Sequence, residues 1–77
     1  MMKVGLLWYD DDPARNLNQK VSRAASRYQQ KFGRQPTVCY VHPSALDGEV
    51  KNVGRIKVAA LASVLRYHFW VGEESDE

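Results

Sequence analysis

Apart from Lys3, the chain is apolar at nearly every position from Met1 to Tyr9, and the run Asp10-Asp11-Asp12 then stops it. A near-continuous apolar stretch of this length predicts a strand covered on both faces, and hence a central one. The period then changes. Leu17, Val21, Ala24, Ala25, Tyr28 and Phe32 recur at helical spacing and spread over about 100° of one face, which predicts an amphipathic helix. Pro13 suits a first helical turn, where its missing N–H is no loss. Gly33 fits the position just past the helix end, and Pro36 blocks continuation.

The segment "TVCYVHP" is rich in β-formers and closes at Pro43, predicting a second strand. Strand, helix and strand in succession form a βαβ unit, with parallel strands and a right-handed crossover. "SALDGEVKNVG" reads as a loop with its turn at Asp47-Gly48. Ile56 with Val58, and Phe69 with Val71, each give a one-sided period of two. They predict two further strands joined by an irregular connection.

The fold class is therefore α+β, a small two-layer domain of order β-α-β-β-β. One amphipathic helix packs on one face of a mixed three- to four-stranded sheet. Helix-side positions are assigned to Leu7, Cys39, Val41, Ile56, Val58, Phe69 and Val71. Val4, Leu6, Trp8, Val38, Tyr40, His42, Arg55, Lys57, His68 and Trp70 then fall on the opposite face. That face is too apolar for plain solvent exposure. Its mixture of aromatic and basic groups suits base stacking, and its aliphatic content suits a homodimer interface, with Trp8, Tyr40 and Trp70 at the centre. A slip of one residue in any strand would exchange its two faces.

The length of 77 residues corresponds to one domain, assigned to 1–72 with an acidic tail over 73–77. A domain of this size buries only about 60 % of its unfolded surface, so the core is thin. The single Cys39 cannot form an internal disulfide, and no Cys/His pattern has zinc-site spacing. In mid-strand it reads as a buried small hydrophobe. The apolar runs are too short to span a bilayer, and the N-terminus lacks a small-residue cleavage site. A cytoplasmic setting with no membrane partner is expected.

The net charge of +2 conceals a segregation. Three of nine acids are Asp10 to Asp12, and four lie in "EESDE" at the C-terminus. From Pro13 to Gly72, ten Lys and Arg face only Asp47 and Glu49, a net of +8. Within the helix, Lys20, Arg23, Arg27, Lys31 and Arg34 recur at intervals of three or four residues. They form a stripe about 110° from the centre of the apolar face. No acid lies between Pro13 and Leu46, so like charges stand at i,i+4, which costs some helix stability. Such a stripe suits a phosphate backbone or an acidic protein surface.

The aspartate run has two readings. Asp12, directly before Pro13, fits a helix N-cap, with Asp10 and Asp11 favoured near the positive end of the helix dipole. Alternatively, carboxylates at the C-terminal end of a first strand could hold Mg²⁺. The cap is the favoured reading, and no metal or cofactor is expected. Asp10 with His42, at the same sheet edge, is the residual catalytic arrangement. No nucleophile elbow, Gly-rich phosphate loop or helix-turn-helix spacing accompanies it, so no enzyme is expected. The sequence thus predicts a non-catalytic module binding nucleic acid through its basic helix, aided by an aromatic sheet face. The alternative is a protein-interaction module, a regulator, inhibitor or small subunit, homodimeric in its simplest form.

Overall fold

In the computed structural model, which describes residues 5–46 and 51–74, one helix packs on one face of a five-stranded mixed sheet. In chain order the elements are β1 (Gly5–Tyr9), α1 (Leu17–Phe32), β2 (Val38–Val41), a 3₁₀ turn (Pro43–Ala45), β3 (Lys51–Val53), β4 (Ile56–Ala60) and β5 (His68–Gly72). The strand order is β1-β5-β2-β4-β3. Only β2 and β4 pair in parallel; the other three pairings are antiparallel.

The expected helix-on-sheet architecture is present, with one strand more than anticipated. β3 sits in the segment read as loop and pairs with β4 through Gly54-Arg55. Gly54 has φ 60 and is followed by no second positive φ, as in a II′ hairpin turn. The Asp47-Gly48 turn lies outside the described residues. The irregular connection between β4 and β5 is present over 61–67.

Two expectations about β1 are corrected. It is an edge strand, not a central one. β1 and β2 point the same way, but β5 lies between them, antiparallel to both, so the βαβ unit is split. Its register is also shifted by one residue relative to the assignment. Leu6 stands opposite Val71 and Trp8 opposite Phe69, so Leu6 and Trp8 pack against the helix-side core. Leu7, opposite Trp70, is 56 % exposed on the other face. When both alternating sets are apolar, pattern alone does not distinguish them; the partner strand does. Val4 lies outside the described residues.

The core is formed by Val21, Ala24, Ala25 and Tyr28 of α1 against Cys39, Val41, Ile56, Val58, Phe69 and Val71 of the sheet, with Leu46 beside them. Tyr28 and Phe32 add a tilted ring contact at 4.6 Å. Apart from Leu7, all the predicted helix-side positions are buried.

The helix begins later than expected, and Asp12 is not its cap. Asn16 is the N-cap: its side chain accepts from the Gln19 amide and the Gln19 side chain accepts from the Asn16 amide, both at 2.9 Å. This reciprocal pair satisfies two of the amides that a helix start leaves open. At the other end Gly33 adopts φ 73 and its N–H bonds the Gln29 carbonyl at 2.8 Å, as expected of a glycine stop.

A candidate anion-binding surface

Asp10 and Asp12 are engaged locally. Asp10 is 4 % exposed, and its carboxylate accepts from Arg15 Nε (2.8 Å), Arg15 Nη2 (3.2 Å) and the Asp12 amide (3.0 Å). The Arg15 guanidinium holds the Asp10 carboxyl below the ordinary range, against the opposing effect of burial. The Asp11 carboxylate close by raises the Tyr9 pKa. Asp12 accepts from the Ala14 amide at 2.9 Å and pairs with Arg15 at 3.2 Å. Asp10 and Asp12 therefore shape the turn into α1. Among the described residues no group of three or more His, Cys, Asp or Glu could hold a metal ion.

Asp10 and His42 do not form a pair. β5 lies between the strands that carry them, which puts their backbones about 10 Å apart at two strand spacings. His42 instead caps the 3₁₀ turn: its Nδ1 accepts from the Ser44 amide at 3.1 Å and lies 2.8 Å from Ser44 Oγ. This local cap follows from the sequence His-Pro-Ser, a signal the sequence reading passed over. Cys39 is buried as expected, and burial pushes its thiol up to about 12, which removes it as a nucleophile at neutral pH.

Lys20, Arg23, Arg27 and Lys31 lie along α1, and no carboxylate of a described residue pairs with them. Like-signed neighbours are instead spaced by softer contacts. Lys20 Nζ stands 5.8 Å from the Tyr67 ring centre and Lys31 Nζ 5.5 Å from that of Phe32. The Arg27 guanidinium reaches Gln30 Oε1 at 3.4 Å. Arg34, the fifth member, lies beyond the Gly33 stop. Its Nε donates to both Glu73 carboxylate oxygens at 3.0 Å. Of the five, Arg34 alone pairs with a carboxylate among the described residues.

Trp8 lies beside this stripe. Its ring borders a shallow cleft of about 180 Å³ with Arg23, Ser26, Arg27 and Gln30, so the cations run along the β1 edge of the molecule. The indole Nε1 is buried with no hydrogen-bond partner. Of the three residues assigned to an interface, only Tyr40 and Trp70 share the helix-free face, directly opposite one another. Trp8 packs on the helix side.

At its N-terminal end the stripe runs into a pocket of about 360 Å³ between α1, the end of β2 and the segment before β5. Lys20, Arg66, His42, His68 and Ser44 line it, over an apolar base that includes Leu17, Val41 and Phe69. Among the described residues no Asp or Glu lines the pocket. Tyr67, on its wall, holds φ 64, a left-handed conformation that costs a side-chain-bearing residue about 1–2 kcal/mol. Its carbonyl is anchored by the Asp10 amide at 2.9 Å. Sequence reasoning placed Lys20 and the two histidines separately; Arg66 received no role.

The helix-free face carries Leu7, Tyr9, Tyr40, His68 and Trp70. Tyr9 and His68 stack obliquely at 5.0 Å. A cleft of about 330 Å³ runs between Leu7, Trp70, His68 and the segment Leu61–Leu65, where Leu65 is 69 % exposed. At the far end Glu74 accepts from the Tyr40 hydroxyl at 3.0 Å, and its amide donates to Thr37 Oγ1 at 2.8 Å. Burial, with Glu74 adding to it, raises the Tyr40 pKa. The first two acids of the tail thus lie back on the body, one on Arg34 and one on the sheet.

No helix among the described residues is long and apolar enough to cross a membrane. The fold and site define a one-helix α+β domain with a cationic ridge ending in a cation-lined pocket. Comparison with protein-family models, with characterised proteins and with solved structures found no match.

Proposed function

We propose that this chain is a small nucleic-acid-binding module without catalytic chemistry of its own, its basic helix lying on the phosphate backbone. The observation that carries this reading is the row Lys20, Arg23, Arg27 and Lys31, none of them paired with a carboxylate of a described residue. From Lys20 to Lys31 the helix rises about 16 Å, which spans four to five phosphates of one strand when measured along the duplex axis. An ordinary solvated helix face mixes both signs; this one concentrates a field that only an anionic partner relieves.

The test is titration of labelled single- and double-stranded oligonucleotides by fluorescence anisotropy at 50 and 200 mM salt. Four phosphate contacts give a log–log slope of about −3 to −4, or a loss of affinity of about 100-fold across that interval. Changing Arg23, Arg27 and Lys31 together to Ala flattens the slope by about 2 to 3. Absent binding at 50 mM, or binding indifferent to salt, refutes the reading.

A second reading is favoured by the exposed Leu7 and Leu65 beside the Trp70 cleft: a protein-interaction surface, a second copy being the simplest partner. Light scattering on the wild type and Leu65→Glu separates the two. A wild-type monomer at all concentrations removes the homodimer.

A further inference from the structure

We infer that the pocket at the N-terminal end of the stripe is a site for a phosphate monoester, supplied by the phosphorylated end of a nucleic-acid strand whose backbone runs along α1. This rests on the nucleic-acid reading for the source of the phosphate, whereas the pocket itself stands on its own residues. Lys20 belongs to both features, being the first cation of the stripe and a wall of the pocket. A strand following the stripe towards the start of α1 arrives there.

The chemistry favours an end group over a backbone phosphate. A monoester carries about −1.5 to −2 charges at pH 7, against one for a diester. Lys20 and Arg66 provide two full positive charges across the pocket, and no acid among the described residues lines it to offset them. Asp10 feels the Lys20 charge, but its carboxylate oxygens are occupied by Arg15 and the Asp12 amide. The two histidines are oriented by their own neighbours. The Ser44 amide donates to His42 Nδ1, which places that ring's proton on Nε2 as a donor. His68 Nδ1 lies 2.9 Å from the Arg66 carbonyl and donates to it, so Nε2 of the neutral ring is an acceptor and meets only a protonated oxygen of the monoester. Leu17, Val41 and Phe69 form the apolar part of the pocket's lining. At about 360 Å³ it lies near the small end of ligand sites.

The experiment compares one oligonucleotide sequence with a 5′-phosphate, a 3′-phosphate or hydroxyls at both ends, by anisotropy against the full chain. AMP and inorganic phosphate are titrated separately by NMR. Wild type is expected to bind one phosphorylated end at least about tenfold tighter than the hydroxyl form, the increment of a charge-assisted contact. Arg66→Ala removes that preference and leaves hydroxyl-end affinity within about twofold, because Arg66 lies off the stripe. Arg66→Lys retains part of the preference. Equal affinity for all three ends, with His42, Ser44 and His68 resonances unmoved by phosphate, overturns the pocket and leaves the stripe reading intact. Oligonucleotides that fail to bind while inorganic phosphate or AMP shifts those resonances sustain the monoester site and remove the strand as its source.

Discussion

Gly5 and Trp70 make the most demanding test of the sheet as built. They lie on the helix-free face, and a Cβ placed on Gly5 would meet three atoms of the Trp70 ring, Cζ2 at 2.9 Å and Cε2 and Cη2 at 3.0 Å. Ordinary contact begins at 3.4 Å, so Gly5→Ala must lift the indole by about 0.5 Å along one side of the six-membered ring. Leu7 and Tyr40 stand opposite Trp70 on the flanking strands and restrain that movement. Overpacking of this kind costs about 1–3 kcal/mol, whereas replacing glycine by alanine in a strand gains about 0.5–1 kcal/mol. The net expectation is a loss of up to about 2.5 kcal/mol, at about 4–8 °C of Tm per kcal/mol for a domain of this size. With Trp70→Ala as background the clash vanishes and Gly5→Ala becomes stabilising by about 0.5–1 kcal/mol. A double-mutant cycle by urea unfolding measures the sign reversal directly. If Gly5→Ala raises stability with Trp70 present, or costs the same in both backgrounds, the indole does not lie over β1 and the edge pairing is wrong.

Three further outcomes follow from the same contacts. Asp10→Asn should lower stability at neutral pH and flatten the acid limb. The folded carboxyl lies below its ordinary value of 3.8, so its contribution is present above pH 3.8 and is lost as pH falls through the lowered native value; urea midpoints between pH 2 and 7 check it. Asn16→Ala should cost about 0.5–2 kcal/mol by thermal melts, the usual cost of losing a cap, and should shorten the helical CD signal. Cys39 should resist a thiol reagent at pH 8 in the native protein and react at the rate of global opening as urea is added; prompt native labelling would place it outside the core.

How much was legible beforehand differs by element. The helix and its buried face followed from spacing alone, because a 3.6-residue period with a glycine stop has few other solutions. Its start did not: Asp-Asp-Asp-Pro offers a strong cap signal, yet Arg15 draws Asp10 and Asp12 into a turn of their own. The Asn16…Gln19 capping pair was written in the chain three residues apart and is the weaker-looking of two competing signals. The cationic stripe was legible as a row of charges, while the pairing of Arg34 with Glu73, 39 residues away, was not. The pocket was invisible for the same reason, since its walls come from α1, from the turn after β2 and from the segment before β5.

The sequence by itself determined the local terms: one amphipathic helix, the strands of alternating or apolar pattern, the irregular link between β4 and β5, and a body whose charge is mostly positive. These depend on neighbours within a turn or two of chain, where period, propensity and capping act. Only the tertiary structure decided strand order, the face of each β1 side chain and the pairing of Arg34 with Glu73. The insertion of β5 between β1 and β2 is a non-local pairing, and an apolar strand carries the same pattern whether it lies at the edge or the centre. That one insertion puts β1 at the edge, turns Trp8 towards the helix, seats Trp70 over Gly5 and brings Arg66 and His68 beside Lys20.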